Sequence, residues 1–281
     1  MAQPVIEAEE LGVKFAVNRR RKRSLREMFI HGTKRDPNAG GNAFWPLRGV
    51  SFSAEEGDCI GIVGKNGTGK STLLKLIAGV LLPDEGTVRV QGKVAPLLEL
   101  RAGFSEQLTG RENVYLVGSL HGMTNEELDA RFQEIVDFAE IDPKFIDSPV
   151  RHYSSGMKVR LGFALISQLE HPIMLVDEVL AVGDKSFRRK CYDAIDRMLS
   201  NNRTMVLVSH NENDLKRFCN RGLYIKEGEL TMDSDIESTL SAYNEDTKAE
   251  IEARKNRNNP ADPEQPPRSD EDDGQGGDQA A

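Results

Sequence analysis

The residues with the clearest chemistry run from Gly64 to Ser71. Gly64-Lys65-Asn66-Gly67-Thr68-Gly69-Lys70-Ser71 fits G-x-x-x-x-G-K-[ST], and it sits between an apolar segment, Cys59–Val63, and one with helical periodicity. Glycines at this spacing let consecutive backbone N–H groups turn inward onto phosphate oxygens, and the helix that follows adds the positive end of its dipole. In such a cradle Lys70 reaches the β- and γ-phosphates, Ser71 ligates Mg²⁺ and Thr72 lies close to the α-phosphate. A chance glycine-rich turn would lack both flanks. Farther along, four apolar residues, Ile173–Val176, end in Asp177-Glu178. A buried strand of this kind delivers carboxylates to the edge of a sheet where ligands bind. Asp177 suits Mg²⁺ coordination, and Glu178 suits polarising an attacking water.

The elements that must position these groups follow from periodicity. Strands are predicted at Val5–Phe15, Leu47–Phe52 and Asp58–Val63, then a helix over Lys70–Leu81 stopped by Pro83, then a β segment over Gly86–Val94. Residues 106–168 read as mostly helical, with Asn113–Gly118, Asn125–Ala139 and Ser155–Ser167 as the candidate helices. Strand and helix then alternate through Ile173–Val176, Lys185–Leu199, Thr204–Ser209, Glu212–Phe218 and Leu223–Lys226. Alternation of this kind argues for a parallel sheet with covering helices, and the helical block becomes a subdomain inserted between strands. Ser234-x-x-Glu237 opens a last helix. Near the N-terminus a basic block, Arg19–Arg23, precedes Ser24–Ile30, where Leu25, Met28 and Phe29 share one helical face.

Composition narrows the class. The 281 residues carry a formal net charge of −8, of which −6 falls in residues 245–281. Residues 1–244 are therefore nearly neutral, which argues against a dedicated nucleic-acid binder. No apolar run approaches the ~20 residues that span a bilayer, and the N-terminus has no secretory pattern. Three cysteines (Cys59, Cys191, Cys219) without C-x-x-C spacing suit a reducing cytosol better than a disulfide scaffold. Residues 245–281 are acidic and poor in apolar side chains, and they are expected to be disordered.

Further motifs identify a family resemblance. Tyr153-Ser154-Ser155-Gly156-Met157 resembles the signature segment of ABC ATPases, usually L-S-G-G-Q. Asp177-Glu178 leading to Asp184 looks like that family's Walker B strand and D-loop, and Val208-Ser209-His210 looks like its switch histidine. All stand in the family's order, over about residues 5–244. The resemblance implies a P-loop NTPase domain of the α/β class: a RecA-like core, an antiparallel β subdomain and an inserted helical subdomain at about 102–168. It implies ATP and Mg²⁺ as ligands, a head-to-tail dimer sandwiching two ATPs, and Ser154, Ser155, Gly156 and Met157 closing over nucleotide held by the other subunit. His210 would then contact the γ-phosphate. A plain serine-capped helix start is the alternative for Ser154, and a satisfied buried histidine is the alternative for His210.

Within that family, D-E-V-L-A-V-G-D at 177–184, A-G-F-S-E-Q-L-T-G-R-E-N at 102–113 and F-W-P-L-R-G-V-S-F at 44–52 resemble ATPases of polysaccharide exporters. Those drive export of O-antigen, capsule, teichoic acid or actinobacterial galactan. The resemblance implies a lipid-linked glycan as cargo, a separate integral-membrane permease of the ABC-2 exporter type, and a place at the cytoplasmic face of the cell membrane. In that subfamily a short amphipathic helix precedes the F-W segment and lies against the membrane. Here it corresponds to Ser24–Ile30, within an insertion at about 18–43, with a surface helix on its own domain as the alternative. Two positions depart from the pattern. Leu98-Glu99-Leu100-Arg101 stands where most relatives carry the Q-loop glutamine, leaving Glu99 as the candidate, with Gln107 farther along. Trp45 is the expected adenine-stacking aromatic, with Phe15 and Phe44 as the other choices. An ABC subunit for another cargo and a soluble, non-transport ABC protein are the competing readings; the latter usually carries two cassettes or a long coiled-coil insertion.

Overall fold

The computed structural model describes residues 4–16, 43–97, 103–177 and 184–258. The predicted amphipathic helix Ser24–Ile30, Glu99, Glu178 and residues 259–281 lie outside the described residues. A three-stranded antiparallel sheet has the order β2-β1-β4, with β1 at Ile6–Ala16, β2 at Ala43–Ala54 and β4 at Glu85–Val90. A six-stranded sheet has the order β5-β6-β7-β3-β8-β9. Its strands are β3 (Cys59–Val63), β5 (Val94–Leu97), β6 (Ile173–Asp177), β7 (Thr204–Val208), β8 (Arg221–Lys226) and β9 (Glu229–Asp235). All neighbours are parallel except β8 and β9.

The near-continuous apolar runs of β6 and β7 are what a strand covered on both faces requires. Alternate residues enter different cores. Ile173, Leu175, Val206 and Val208 pack with Leu73, Leu74 and Ile77 of α1 (Lys70–Ile77) and with Leu11 and Val50 of the antiparallel sheet. Met174, Val176, Met205 and Leu207 face the other way, onto Phe187, Cys191 and Ile195 of α6 (Lys185–Ser200), Leu215 of α7 (Glu212–Phe218) and Ile236 of α8 (Ile236–Asn258). The inserted block has its own core. There Val114 and Val117 of α2 (Gly110–Leu120) meet Leu128 and Ile135 of α3 (Asn125–Ala139) and Leu161 and Leu165 of α5 (Ser155–Ser167), with α4 (Pro143–Ile146) between. Helices α2 and α3 each begin with a capping box, Thr109 with Glu112 and Thr124 with Glu127.

Several boundaries differ from the sequence reading. Helix α1 stops at Ile77, ahead of the predicted Leu81. Gly79 adopts φ +69° and the N–H groups of Val80 and Leu81 turn back to the Lys75 carbonyl at 2.9 and 3.1 Å, so a left-handed glycine ends the helix before Pro83. The segment 86–94 is two strands, separated at Gly92 (φ +106°), and they join different sheets. Strand β9 escaped the sequence reading because its alternation of half-buried and exposed positions uses Thr and Ser as well as Leu and Met. Ser234 is not the start of the last helix: Asp235 accepts the Ser238 N–H at 2.9 Å, and α8 begins at Ile236. The expectation of disorder from 245 onward is corrected for 245–258, which are helical. Its one large apolar residue, Ile251, is exposed, but strong helix formers (Ala, Glu, Lys and Arg) make up most of the stretch, and the argument from core burial takes no account of local helix propensity. The chain divides after Tyr243 into two units.

Candidate nucleotide site

Strand β3 lies at the centre of the large sheet, between β7 and β8, and its C-terminal end delivers the 64–71 loop. Register sets what stands beside it. Ile62 is opposite Val208 on β7, and Val208 is opposite Asp177 on β6, so the three strands end on one edge. At ~4.8 Å per strand, Asp177 lies about 10 Å across the sheet from β3. Ser209 and His210 follow directly from β7 onto the same edge.

The loop cannot be built from other residues. Gly64 and Gly69 have φ of +154° and +98°. A Cβ on Gly64 would overlap the Ile225 carbonyl oxygen, and one on Gly69 would overlap that of Pro46. Gly67 (φ +83°) faces open space instead. The Thr68 hydroxyl donates to the Lys65 carbonyl at 2.9 Å, folding the loop back on itself. Lys70 is buried, and its ammonium donates to the carbonyls of Gly64 and Lys65, both at 2.7 Å. Gly69 caps α1 without any side-chain hydrogen bond, so no side chain of the cap competes for the leading N–H groups of that helix.

A cleft of about 450 Å³ opens over this loop, lined by Asn66, Gly67, Gly69, Lys70, Ser71 and Thr72, by His210, and by Phe15, Phe44 and Pro46. Gly64, Lys65 and Thr68, the remaining loop residues, are not among its lining residues. His210 is exposed, and the adjacent Ser209 hydroxyl oxygen accepts the Asn211 N–H at 3.1 Å. Strand alternation separates the three aromatics that the sequence offered for stacking on adenine. Phe15 and Phe44 are cross-strand partners, 45% and 53% exposed, and both line the cleft. Trp45 does not line it and is held near the Arg48 guanidinium at 4.8 Å and the Lys14 ammonium at 5.6 Å.

Ser71 at the start of α1 and half-buried Asp177 at the end of β6 are the groups suited to Mg²⁺. Among the described residues no three His, Cys, Asp or Glu side chains gather as an all-protein metal cage. One hydroxyl and one carboxylate beside a phosphate cradle is the donor set Mg²⁺ favours, because that ion keeps waters and takes phosphate oxygens.

The second group of predicted residues lies elsewhere. Ser154 caps α5, its hydroxyl oxygen accepting the Met157 N–H at 3.2 Å. A Cβ on Gly156 would meet only the Ser154 Oγ, at 3.8 Å. None of Ser154, Ser155, Gly156 and Met157 lines the cleft. Tyr153 is buried and its hydroxyl donates to the Phe145 carbonyl at 2.8 Å; burial, with Asp147 adding to it, pushes its pKa up to about 12. Asp184 caps α6, and the Phe187 N–H bonded to it at 2.9 Å holds its carboxyl below the usual aspartate range. Gln107 accepts from the Arg151 guanidinium at 3.0 Å. Two features escaped the sequence reading: the T-x-x-E capping boxes, visible as a pattern, and buried Asn113, for which no local signal exists.

The ABC transporter family profile matches residues 47–181. An O-antigen export system ATP-binding protein of Klebsiella pneumoniae is 37% identical over 241 residues, which is 86% of this chain and 98% of that protein. A teichoic acids export ATP-binding protein of Bacillus anthracis is 42% identical over 205 residues, 73% of this chain and 37% of its own length. The dimeric ATP-binding cassette MJ0796, in a post-hydrolysis state with ADP and phosphate, superposes with a TM-score of 0.65 at 21% identity, covering 82% of this chain and 98% of that one. At that identity the likeness concerns the fold.

Proposed function

The chain belongs to the ABC transporter family, as one of its ATP-binding subunits, and on that premise we propose that it powers export of a lipid-linked polysaccharide through a separate membrane permease of the ABC-2 exporter type. The observation that carries this reading is the coverage of the O-antigen export protein, 98% of its length at 37% identity. Among the described residues no helix is long and apolar enough to cross a membrane, so the reading assigns the translocation path to the permease and places this chain at the cytoplasmic face.

In this role the 64–71 loop holds the phosphates with its N–H groups and the start of α1, while Lys70 exchanges its loop carbonyls for phosphate oxygens. Phe15 and Phe44 offer apolar faces to the base. Ser71 and Asp177 would hold Mg²⁺, which would supply neutralising charge to the phosphate oxygens. Glu178 orients the attacking water, and His210, exposed on the cleft wall, is assigned to contact the terminal phosphate. Ser154 and Gly156 act on nucleotide bound by a second copy, so hydrolysis requires the head-to-tail dimer.

The test is genetic and biochemical. Removing the chain from its cell should leave lipid-linked polysaccharide inside the membrane, and the purified chain with its permease should hydrolyse ATP faster when that glycan is added. Normal surface polysaccharide in the deletion strain would overturn the cargo; ATPase stimulation by a different exported substrate would reassign it.

A further inference from the structure

One buried side chain fastens the segment that leads into Ser154. Asn113 on α2 is fully buried. Its side-chain oxygen accepts the Ser105 N–H at 2.7 Å, and its amide nitrogen lies 3.0, 3.1 and 2.8 Å from the carbonyl oxygens of Ser105, Leu108 and Thr109. Two hydrogens are thus shared among three carbonyls, and a single side chain shapes the loop 105–109. The loop in turn lies against 148–151. The Val150 N–H donates to the Leu108 carbonyl at 2.9 Å, the Arg151 N–H donates to the Glu106 carbonyl at 3.0 Å, and Thr109 bridges Pro149. A tie to α5 itself completes the strap: the Lys158 ammonium sits 2.6 Å from the Glu106 carboxylate, with the lysine side chain only 14% exposed. Between strap and serine, Tyr153 is pinned by its bond to Phe145, and Gly110 leaves no space for a Cβ beside the Tyr153 hydroxyl.

We propose that Asn113, acting through loop 105–109 and the Glu106–Lys158 pair, is a positioning residue for Ser154 and Gly156, setting where the start of α5 meets nucleotide held by a second copy. A buried polar network whose members are all satisfied specifies one geometry, and removing its centre strands several backbone groups at once. Apolar packing alone would stabilise the subdomain without that directional control. The Glu106–Lys158 pair is partly solvated and adds little stability, so loosening it separates positioning from folding. This inference rests on the reading that Ser154 and Gly156 act in trans.

Three changes in the full-length chain test it: Asn113→Asp, Lys158→Gln, and the exchange Glu106→Lys with Lys158→Glu. Asn113→Asp keeps the shape and the acceptor but turns three donor contacts into repulsion between carboxylate and carbonyl oxygens. Each variant is measured for ATP affinity as a monomer, melting temperature, and kcat and KM; each is also combined with Glu178→Gln to read ATP-driven dimerisation by light scattering. Monomer ATP affinity should stay within about twofold, because the cradle belongs to the other subdomain. Misplacement of a reacting group by about 1 Å costs on the order of 100-fold, so kcat of Asn113→Asp should fall about 10- to 100-fold and that of Lys158→Gln by less. The paired exchange should recover most of the kcat that each single change removes. Unchanged kcat in folded Lys158→Gln, or an exchange that restores melting temperature but not kcat, overturns the proposal, and both outcomes stand even if Asn113→Asp does not fold. If Glu178→Gln in the otherwise unaltered chain fails to dimerise with ATP, the trans reading fails and the inference falls with it. If that protein dimerises and the strap variants dimerise equally well, only the inference falls.

Discussion

Helices α1 and α5 both begin at residues read as phosphate-facing, and they begin in opposite ways. Gly69 caps α1 with no side-chain hydrogen bond and sits against the Pro46 carbonyl and the Leu47 side chain. Ser154 caps α5 with its own hydroxyl, and a Cβ on Gly156, two residues on, would be in ordinary contact with that hydroxyl alone. The first start is enclosed by its own chain: strand ends, loop, aromatic pair and His210 surround one cleft. The second has none of these around it. Glycine at Gly69 is demanded by the fold, whereas among the described residues a Cβ at Gly156 would meet only the Ser154 hydroxyl. On the proposed trans reading, that smallness leaves room for a ligand approaching from a second copy.

The largest effect should come from the position between these two regions in the chemistry. Glu178→Gln should lower ATP hydrolysis by about 10²–10⁴-fold, the range for a positioned acid–base group, while ATP binding persists and the ATP-bound dimer accumulates. Normal turnover in complex with the permease would remove Glu178 from that role.

The paired glycines come next. Gly69→Ala should destabilise the chain by ~1–3 kcal/mol and abolish nucleotide binding, since the alanine needs both a left-handed backbone and space that Pro46 occupies. Gly156→Ala should melt at or above the wild-type temperature, with a change within about 1 kcal/mol, because helix propensity favours alanine. Hydrolysis should nevertheless fall in Gly156→Ala, and further in Gly156→Asp, with ATP binding to the monomer intact. Loss of monomer binding in either Gly156 variant would collapse the distinction between the two helix starts.

A smaller effect separates the aromatics within the enclosed site. Phe44→Ala should weaken ATP binding roughly tenfold, given ~1–3 kcal/mol per stacked base, and Trp45→Ala should leave it unchanged. Equal losses in calorimetric titrations would return Trp45 to consideration.

The smallest effect concerns the cap of α6. The Asp184 carboxyl is depressed by the Phe187 N–H, so its contribution is present above the ordinary aspartate pKa of ~3.9 and is lost as pH falls through its lower folded-state value. Asparagine caps nearly as well and does not titrate. Asp184→Asn should therefore match wild type at neutral pH and lose less melting temperature between about pH 5 and about pH 3. Parallel melting curves across that range would show that the cap is not titrating.

Much of this molecule was determined by the sequence alone, wherever the physics is local. The 64–71 cradle is a matter of backbone freedom and consecutive N–H groups, so spacing names it. Asn125–Ala139 and Ser155–Ser167 emerge with the predicted ends because periodicity and caps lie within one turn of each other. What tertiary structure decided is everything set by distance along the chain. Strand alternation in β1 and β2 put Phe15 and Phe44, and not Trp45, on the cleft, and no window of sequence contains both strands. Asn113 looks like an ordinary helical asparagine until the 105–109 loop folds over it, and β9 becomes a strand because β8 supplies its hydrogen bonds. The physical reason is common to all three. Propensity and periodicity report the preference of a residue for its neighbours in sequence, while a buried amide, a sheet edge or a stacking face is defined by groups that only folding brings near.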